Sequence, residues 1–241
     1  MKEPVAHFFA KEGFDISSVM RYAIGEKFAG LMLKDGRIGI CAILDAQVDD
    51  SLFTGRRAPD LTNHGHRIIL NAYFNALFNY SRELPCNSDI LERIDLKKFN
   101  RIVIVGYFES LVTKLLNEGI RFRIFDKDGN IESEKISPLN ELHSALSEAD
   151  AAIITGSTLA NNTFLNLTSI TPEGCSIFLL GPSNILHPDM FRYRNIKVVF
   201  GSVFERFDHR VLDMITLGHG ARDFLTEKNK VCINHKAFSL L

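Results

Sequence analysis

The sequence predicts an α/β fold in which a parallel sheet with helices on both faces follows a smaller antiparallel α+β unit. From about residue 101 onward, short apolar runs alternate with amphipathic stretches, the pattern of successive strand and helix units. Those runs are near-continuous in Val, Ile, Leu and Phe, as strands covered on both faces should be. Upstream, Lys34-Asp35-Gly36 separates two apolar runs, and Asp-Gly in that position is a hairpin signal.

The elements follow in order. A strand around Val19 to Ile24 is weakly patterned, whereas Phe28 to Leu33 and Arg37 to Ile43 form the arms of the hairpin. A helix from about His66 to Tyr80 carries Ile68, Ile69, Leu70, Tyr73, Phe74, Leu77 and Phe78, so it is apolar nearly all round and should be buried. The polar stretch Pro85 to Lys98 reads as a connection, which places a boundary near Leu96 and gives domains 1–96 and 97–241. Five strands are expected beyond it, at Arg101 to Val105, Arg121 to Phe125, Ala151 to Thr155, Ser176 to Leu180 and Lys197 to Phe200. Between the first two, Leu111, Val112, Leu115 and Leu116 recur at helical spacing, and Gly119 stands where a left-handed stop belongs.

The 241 residues suit one large or two small domains, with 46% hydrophobic and 24% charged residues as in an ordinary globule. Lys and Arg total 28 against 29 Asp and Glu, so no global field invites nucleic acid or an anionic membrane. The four cysteines, Cys41, Cys86, Cys175 and Cys232, form no C-x-x-C pair. Neither a zinc knuckle nor a disulfide framework is expected, and a cytoplasmic location fits. Met1-Lys2-Glu3-Pro4 opens neither a basic n-region nor an apolar h-region, and no apolar run approaches a membrane span.

Ligands of open parallel sheets bind beyond the carboxyl ends of the strands, so those loops are the candidate site. In the first, Gly106 and Tyr107 follow a strand with one glycine and not G-x-G-x-x-G, which disfavours NAD. Asp126 ends the next strand about twenty residues later, where an acid meets a ribose hydroxyl or merely starts a turn. The second loop, Thr155-Gly156-Ser157-Thr158 with Asn161, opens a helix whose N-terminus could hold a carboxylate or phosphate, with Ser157 or Thr158 as its cap. The third is Gly181-Pro182-Ser183-Asn184, with His187-Pro188 beyond it; His187 is a general base or ligand or, more often for such a residue, structural. His64 and His66 would share one side of an extended segment as a metal pair, against the bland reading of solvated loop histidines. Cys232 and His235 make half a metal site without a second half, and Arg56-Arg57 reads as a solvated pair.

Taken together, Ile153 to Thr163, Leu179-Leu180-Gly181-Pro182-Ser183 and His187-Pro188 resemble a bacterial and archaeal family of unknown function labelled "putative heavy-metal chelation". Val105-Gly106-Tyr107-Phe108, Asn75-Ala76-Leu77 and Gly218-His219-Gly220-Ala221-Arg222 agree with it in order. The resemblance implies a Rossmann-like domain behind an N-terminal domain shaped like the small domain of enolase, with the site between them. The leading expectation is a protein that binds a small anionic or metal-chelating metabolite in that cleft and acts on it as an enzyme. The alternatives are a transferase using adenosylmethionine or a nucleotide, and a non-enzymatic carrier of a metal or metal chelate. A heavy-metal ion is the cofactor the label implies; the partner is the small-molecule or metal-chelate ligand, and a homo-oligomer is left open.

Overall fold

A computed structural model of the chain describes residues 1–80, 90–127 and 136–235. It opens with α1 (Pro4–Glu12), which has Pro at its first turn and buries Val5 and Phe8, as the ring's fixed φ favours. β1 (Val19–Ile24), β2 (Phe28–Leu33) and β3 (Ile38–Ala42) form an antiparallel sheet in the order β1-β2-β3. α2 (His64–Phe78) follows, with the Asn63 side chain capping it by accepting from the His66 amide.

After α3 (Ile90–Arg93), the second sheet begins with β4 (Ile102–Val105), α4 (Glu109–Asn117) and β5 (Phe122–Phe125). It continues through α5 (Leu142–Glu148), β6 (Ala151–Thr155), the short α6 (Ser157–Ala160), α7 (Phe164–Ile170), β7 (Ser176–Leu180) and β8 (Ile196–Ser202). α8 (His209–Thr216), α9 (Ala221–Phe224) and β9 (Lys230–Asn234) close the described chain. The strand order is β5-β4-β6-β7-β8-β9, parallel except for β9, which pairs antiparallel with β8. The chain therefore reverses its direction of winding between β4 and β6, and such a switch point opens a crevice at the carboxyl ends of the two strands.

Several elements have no counterpart in the sequence reading, among them α3 in the stretch read as a connection and α8 and α9 beyond the last expected strand. α1 lies in a stretch given no element, and β9 in a tail read as half a metal site; its apolar run of Val231, Cys232 and Ile233 is too short to stand out. The expected absence of disulfides also needs correction, because Cys232 is disulfide-bonded. Cysteine spacing along a chain does not reveal which thiols meet across a fold. The polar connection read at Pro85 to Lys98 lies partly outside the described residues.

α2 is the centre of the molecule. Its apolar residues join the first sheet and the second in one core that runs from Phe8 and Leu31 through Phe74 to Ile154 and Leu179. Its polar residues are buried too. Arg67, Asn71, Asn75 and Asn79 recur every four positions and so form one stripe. Arg67 donates to the carbonyls of Leu159 and Ala160, Asn71 to Ser183, Asn75 to Ile40 and Pro182, and Asn79 to Asn184 and Ser202. The Asn71, Asn75 and Asn79 amides satisfy the Ser183, Pro182 and Asn184 carbonyls of the loop after β7, which is how a buried loop avoids the cost of orphaned polar groups. Desolvation holds the Arg67 guanidinium below its usual pKa, opposed by the nearby Glu3 carboxylate.

Candidate functional site

A cleft of about 820 Å³ opens at the β4/β6 switch point. Its floor comes from the strand-end loops: Gly106 and Tyr107 after β4, Asp126 after β5, Thr155 and Ser157 after β6, and Gly181, Pro182 and Ser183 after β7. The antiparallel sheet contributes Phe28, Ala42 and the following Leu44, while the segment from Ala221 to Val231 forms a further wall. A smaller cavity of about 210 Å³ adjoins it, sharing Asp126, Ser157, Ala42 and Leu44 and adding Asn161 and His64.

Each loop is shaped by local chemistry. Gly106 has φ +103°, and a Cβ there would lie 2.8 Å from Cβ of Thr155, so the β4 turn can pass this close to β6 only as glycine. The Asp126 carboxylate accepts from the Tyr107 amide at 2.6 Å, which ties the ends of β4 and β5 together at the cleft wall. The hydroxyls of Thr155 and Ser157 lie 3.2 Å apart. Gly156 meets another constraint: a Cβ would sit 2.6 Å from Asn184 Oδ1, an atom with no hydrogen-bond partner and fully buried.

Several expectations meet a different geometry. The helix expected to present a strong N-terminus is α6, only four residues long, and its N-cap is Gly156 with no side-chain cap. Thr158 turns back to donate to the Thr155 carbonyl and Ser157 is inside the helix, so neither is the cap. A helix of one turn sums few peptide dipoles, which removes much of the field argument. Asn161 accepts from the Thr163 amide and hydroxyl, closing a local turn, and faces the smaller cavity, not the main cleft. Ser183 is buried and accepts from the Ala42 amide, joining the β7 loop to the end of β3.

His64 and His66 do not pair. The segment is helical from His64 because Asn63 caps it, and positions two apart on a helix point to different sides. His66 is buried, its Nδ1 accepting from the Asp60 amide and its Nε2 meeting the Ser51 hydroxyl. His187 is the cap of a short 3₁₀ turn, accepts from the Asp189 amide through Nδ1 and packs against Phe8 and Phe78. Burial holds its pKa below the usual histidine value.

Sequence reasoning gave the charged lining no role. Glu109, Lys114, Arg222, Glu227 and Lys230 all line the cleft, and Arg222 pairs with Glu109. They sit on helices and on the antiparallel edge of the sheet, outside the strand-end loops, so no local pattern singles them out. The amide stripe of α2 did carry a signal, the repeat of Asn at intervals of four.

A metal held by the chain itself does not fit these donors. Among the described residues no group of three or more His, Cys, Asp or Glu is placed to hold an ion. Cys41 and Cys175 are buried, and desolvation pushes both thiols up to about 12, which disfavours the thiolate a soft metal needs.

The comparisons with known proteins agree with this architecture. No curated protein sequence matches the chain. A protein of unknown function from Pyrococcus horikoshii, of the DUF364 family, superposes with a TM-score of 0.76 at 19% identity over 90% of this chain and 93% of that one. A second member of that family, from Desulfitobacterium hafniense and also of unknown function, gives a TM-score of 0.73 at 18% identity over 96% and 98%. At such identities the likeness speaks for the fold. Residues 89–234, more than half of the sequence and most of the cleft wall, match the profile of that same family, and the chain therefore belongs to DUF364, described as "Putative heavy-metal chelation".

Proposed function

We propose that the chain binds a small anionic or metal-chelating metabolite in the cleft at the β4/β6 switch point and acts on it as an enzyme. The observation that carries this reading is the convergence of Gly106, Asp126, Thr155, Ser157 and Gly181 on one cavity of about 820 Å³. That size falls within the range of small-molecule sites, which pair an apolar lining with a few placed polar groups. Since the donor set does not fit a bare ion, a metal in this cleft arrives already held by its organic ligand. A heavy-metal chelate is then cargo or substrate.

A transferase that uses adenosylmethionine or a nucleotide is the second reading. What favours it is Asp126, an acid at the end of the strand beside the switch point, with its carboxylate fixed by the Tyr107 amide. A carrier differs from both enzymes in binding without turnover.

Mass spectrometry on protein purified without added ligand tests the proposal. A co-purifying metabolite, lost in an Ala221→Trp variant that fills the cleft, is the expected result. Retention of the metabolite in that variant, with folding intact by circular dichroism, would place the ligand elsewhere and overturn it.

A further inference from the structure

The charges that line the cleft balance. Among the described residues, Lys114, Arg222 and Lys230 stand against Glu109, Asp126 and Glu227. Arg222 of α9 is joined to Glu109 in the first turn of α4, and Lys230 to Glu227 at 2.7 Å. The Arg222 and Glu109 side chains are 74% and 53% exposed, and an ion pair in such a setting contributes little, so either partner can be exchanged cheaply.

The cost lies in what is stranded. A purely anionic ligand that recruits Arg222 leaves the Glu109 carboxylate beside its own negative charge, and a polyamine on Glu109 does the reverse to Arg222; like charges brought together oppose binding. A molecule with a carboxylate and an ammonium a few bonds apart inserts between the two side chains. One ion pair becomes two, and no charge is left unmatched. The remaining lining includes Phe28, Tyr107, Phe108, Leu180, Phe200 and Leu225, which offer contact to an apolar portion.

We propose that the cleft selects a zwitterionic aminocarboxylate with an apolar group, its carboxylate taken by Arg222 and its ammonium by Glu109. The inference rests on the cleft reading above and narrows it. Amine nitrogen and carboxylate oxygen on neighbouring atoms also chelate transition metals, so this class is the part of that reading the charges favour.

The chain has no Trp, so Ser110→Trp, at an exposed residue lining the cleft, gives a single reporter of occupancy. Three matched probes separate the classes: phenylalanine, 3-phenylpropanoate with the same ring and carboxylate but no amine, and phenethylamine with no carboxylate. The aminocarboxylate should change the emission at the lowest concentration. Arg222→Met and Glu109→Gln should each weaken it by roughly tenfold or more, the effect of losing a charged hydrogen bond, and Arg222→Lys should restore part. Calorimetry on the unsubstituted chain repeats the ranking free of the reporter.

Tighter binding of 3-phenylpropanoate, or titrations indifferent to both neutral variants, would overturn the aminocarboxylate assignment and leave the cleft reading standing. If no probe changes the emission and none gives heat, the aminocarboxylate assignment falls. The cleft reading is judged separately, by the co-purified metabolite and the Ala221→Trp variant.

Discussion

Asn79 uses its whole side chain: Nδ2 donates to the Asn184 and Ser202 carbonyls, and Oδ1 accepts from the Leu186 amide at 2.7 Å. Asn79→Ala removes the side-chain partner of three buried backbone groups, so we expect a loss of roughly 3 kcal/mol or more in urea unfolding, given about 1–3 kcal/mol for one such orphan. Asn71→Ala removes one bond to a backbone carbonyl, that of Ser183, and should cost less. Gly156→Ala tests the other side of the same loop. Its backbone, at φ −62°, accepts alanine, so any loss comes from the clash with Asn184, and about 1–3 kcal/mol is expected as for other overpacked sites. A Gly156→Ala protein as stable as the parent would show that Asn184 moves aside freely. At this scale the sequence was half legible. The strand-end residues Gly106, Asp126, Ser157 and Ser183 were visible as loop chemistry, but the amide stripe that holds those loops was read only as part of an apolar helix, because a buried polar residue cannot be told from an exposed one by type.

Among the elements, the strands were the most legible. Ala151–Thr155 and Ser176–Leu180 are bounded as expected, since runs buried on both faces have abrupt polar ends. α1 was not legible, because what makes it an element is tertiary. The Glu3 carboxylate before it accepts from the Leu165 amide in the first turn of α7, the Tyr193 hydroxyl donates to the Lys2 carbonyl, and His7 and Lys11 meet Asp189. This docking should weaken in acid. Burial holds the His187 pKa below its usual value, so the unfolded chain takes up a proton first as the pH falls through about 6.5 and stability drops. Asp189, held low chiefly by the His7 hydrogen bond, adds stability that is present above its usual value and lost as the pH falls through its lowered one. Glu3 acts in the opposite sense: burial raises it, so the folded chain takes up that proton before the unfolded one and partly offsets the loss. The urea midpoint should therefore decline between pH 7 and 5.5, and decline less in His187→Asn, which keeps an acceptor for the Asp189 amide but does not titrate. Equal slopes in the two proteins would remove His187 from the account.

Across the whole molecule, the two sheets share cover in a way that their order in the chain conceals. One face of the antiparallel sheet packs on α2; the other, with Ala23, Met32, Ile38 and Ile40, packs on Phe204, Val211, Leu212, Ile215 and Phe224 from the far end of the sequence. Arg21 of β1 reaches Asp213 of α8 at 2.6 Å across the same face. The hairpin signal announces these strands but not what covers them, since a partner some 180 residues away leaves no local periodicity. Residues 1–96 made alone would expose that apolar face to water, and the amide stripe of α2 would lose its Leu159, Ala160, Ser183 and Asn184 carbonyls. Such a fragment has lost the burial that offsets its chain entropy. We expect poor amide dispersion in its NMR spectrum, restored when residues 97–241 are supplied in trans. A well-dispersed spectrum from residues 1–96 alone would mean that α2 and one sheet face suffice, and that the covering by α8 contributes little to the fold.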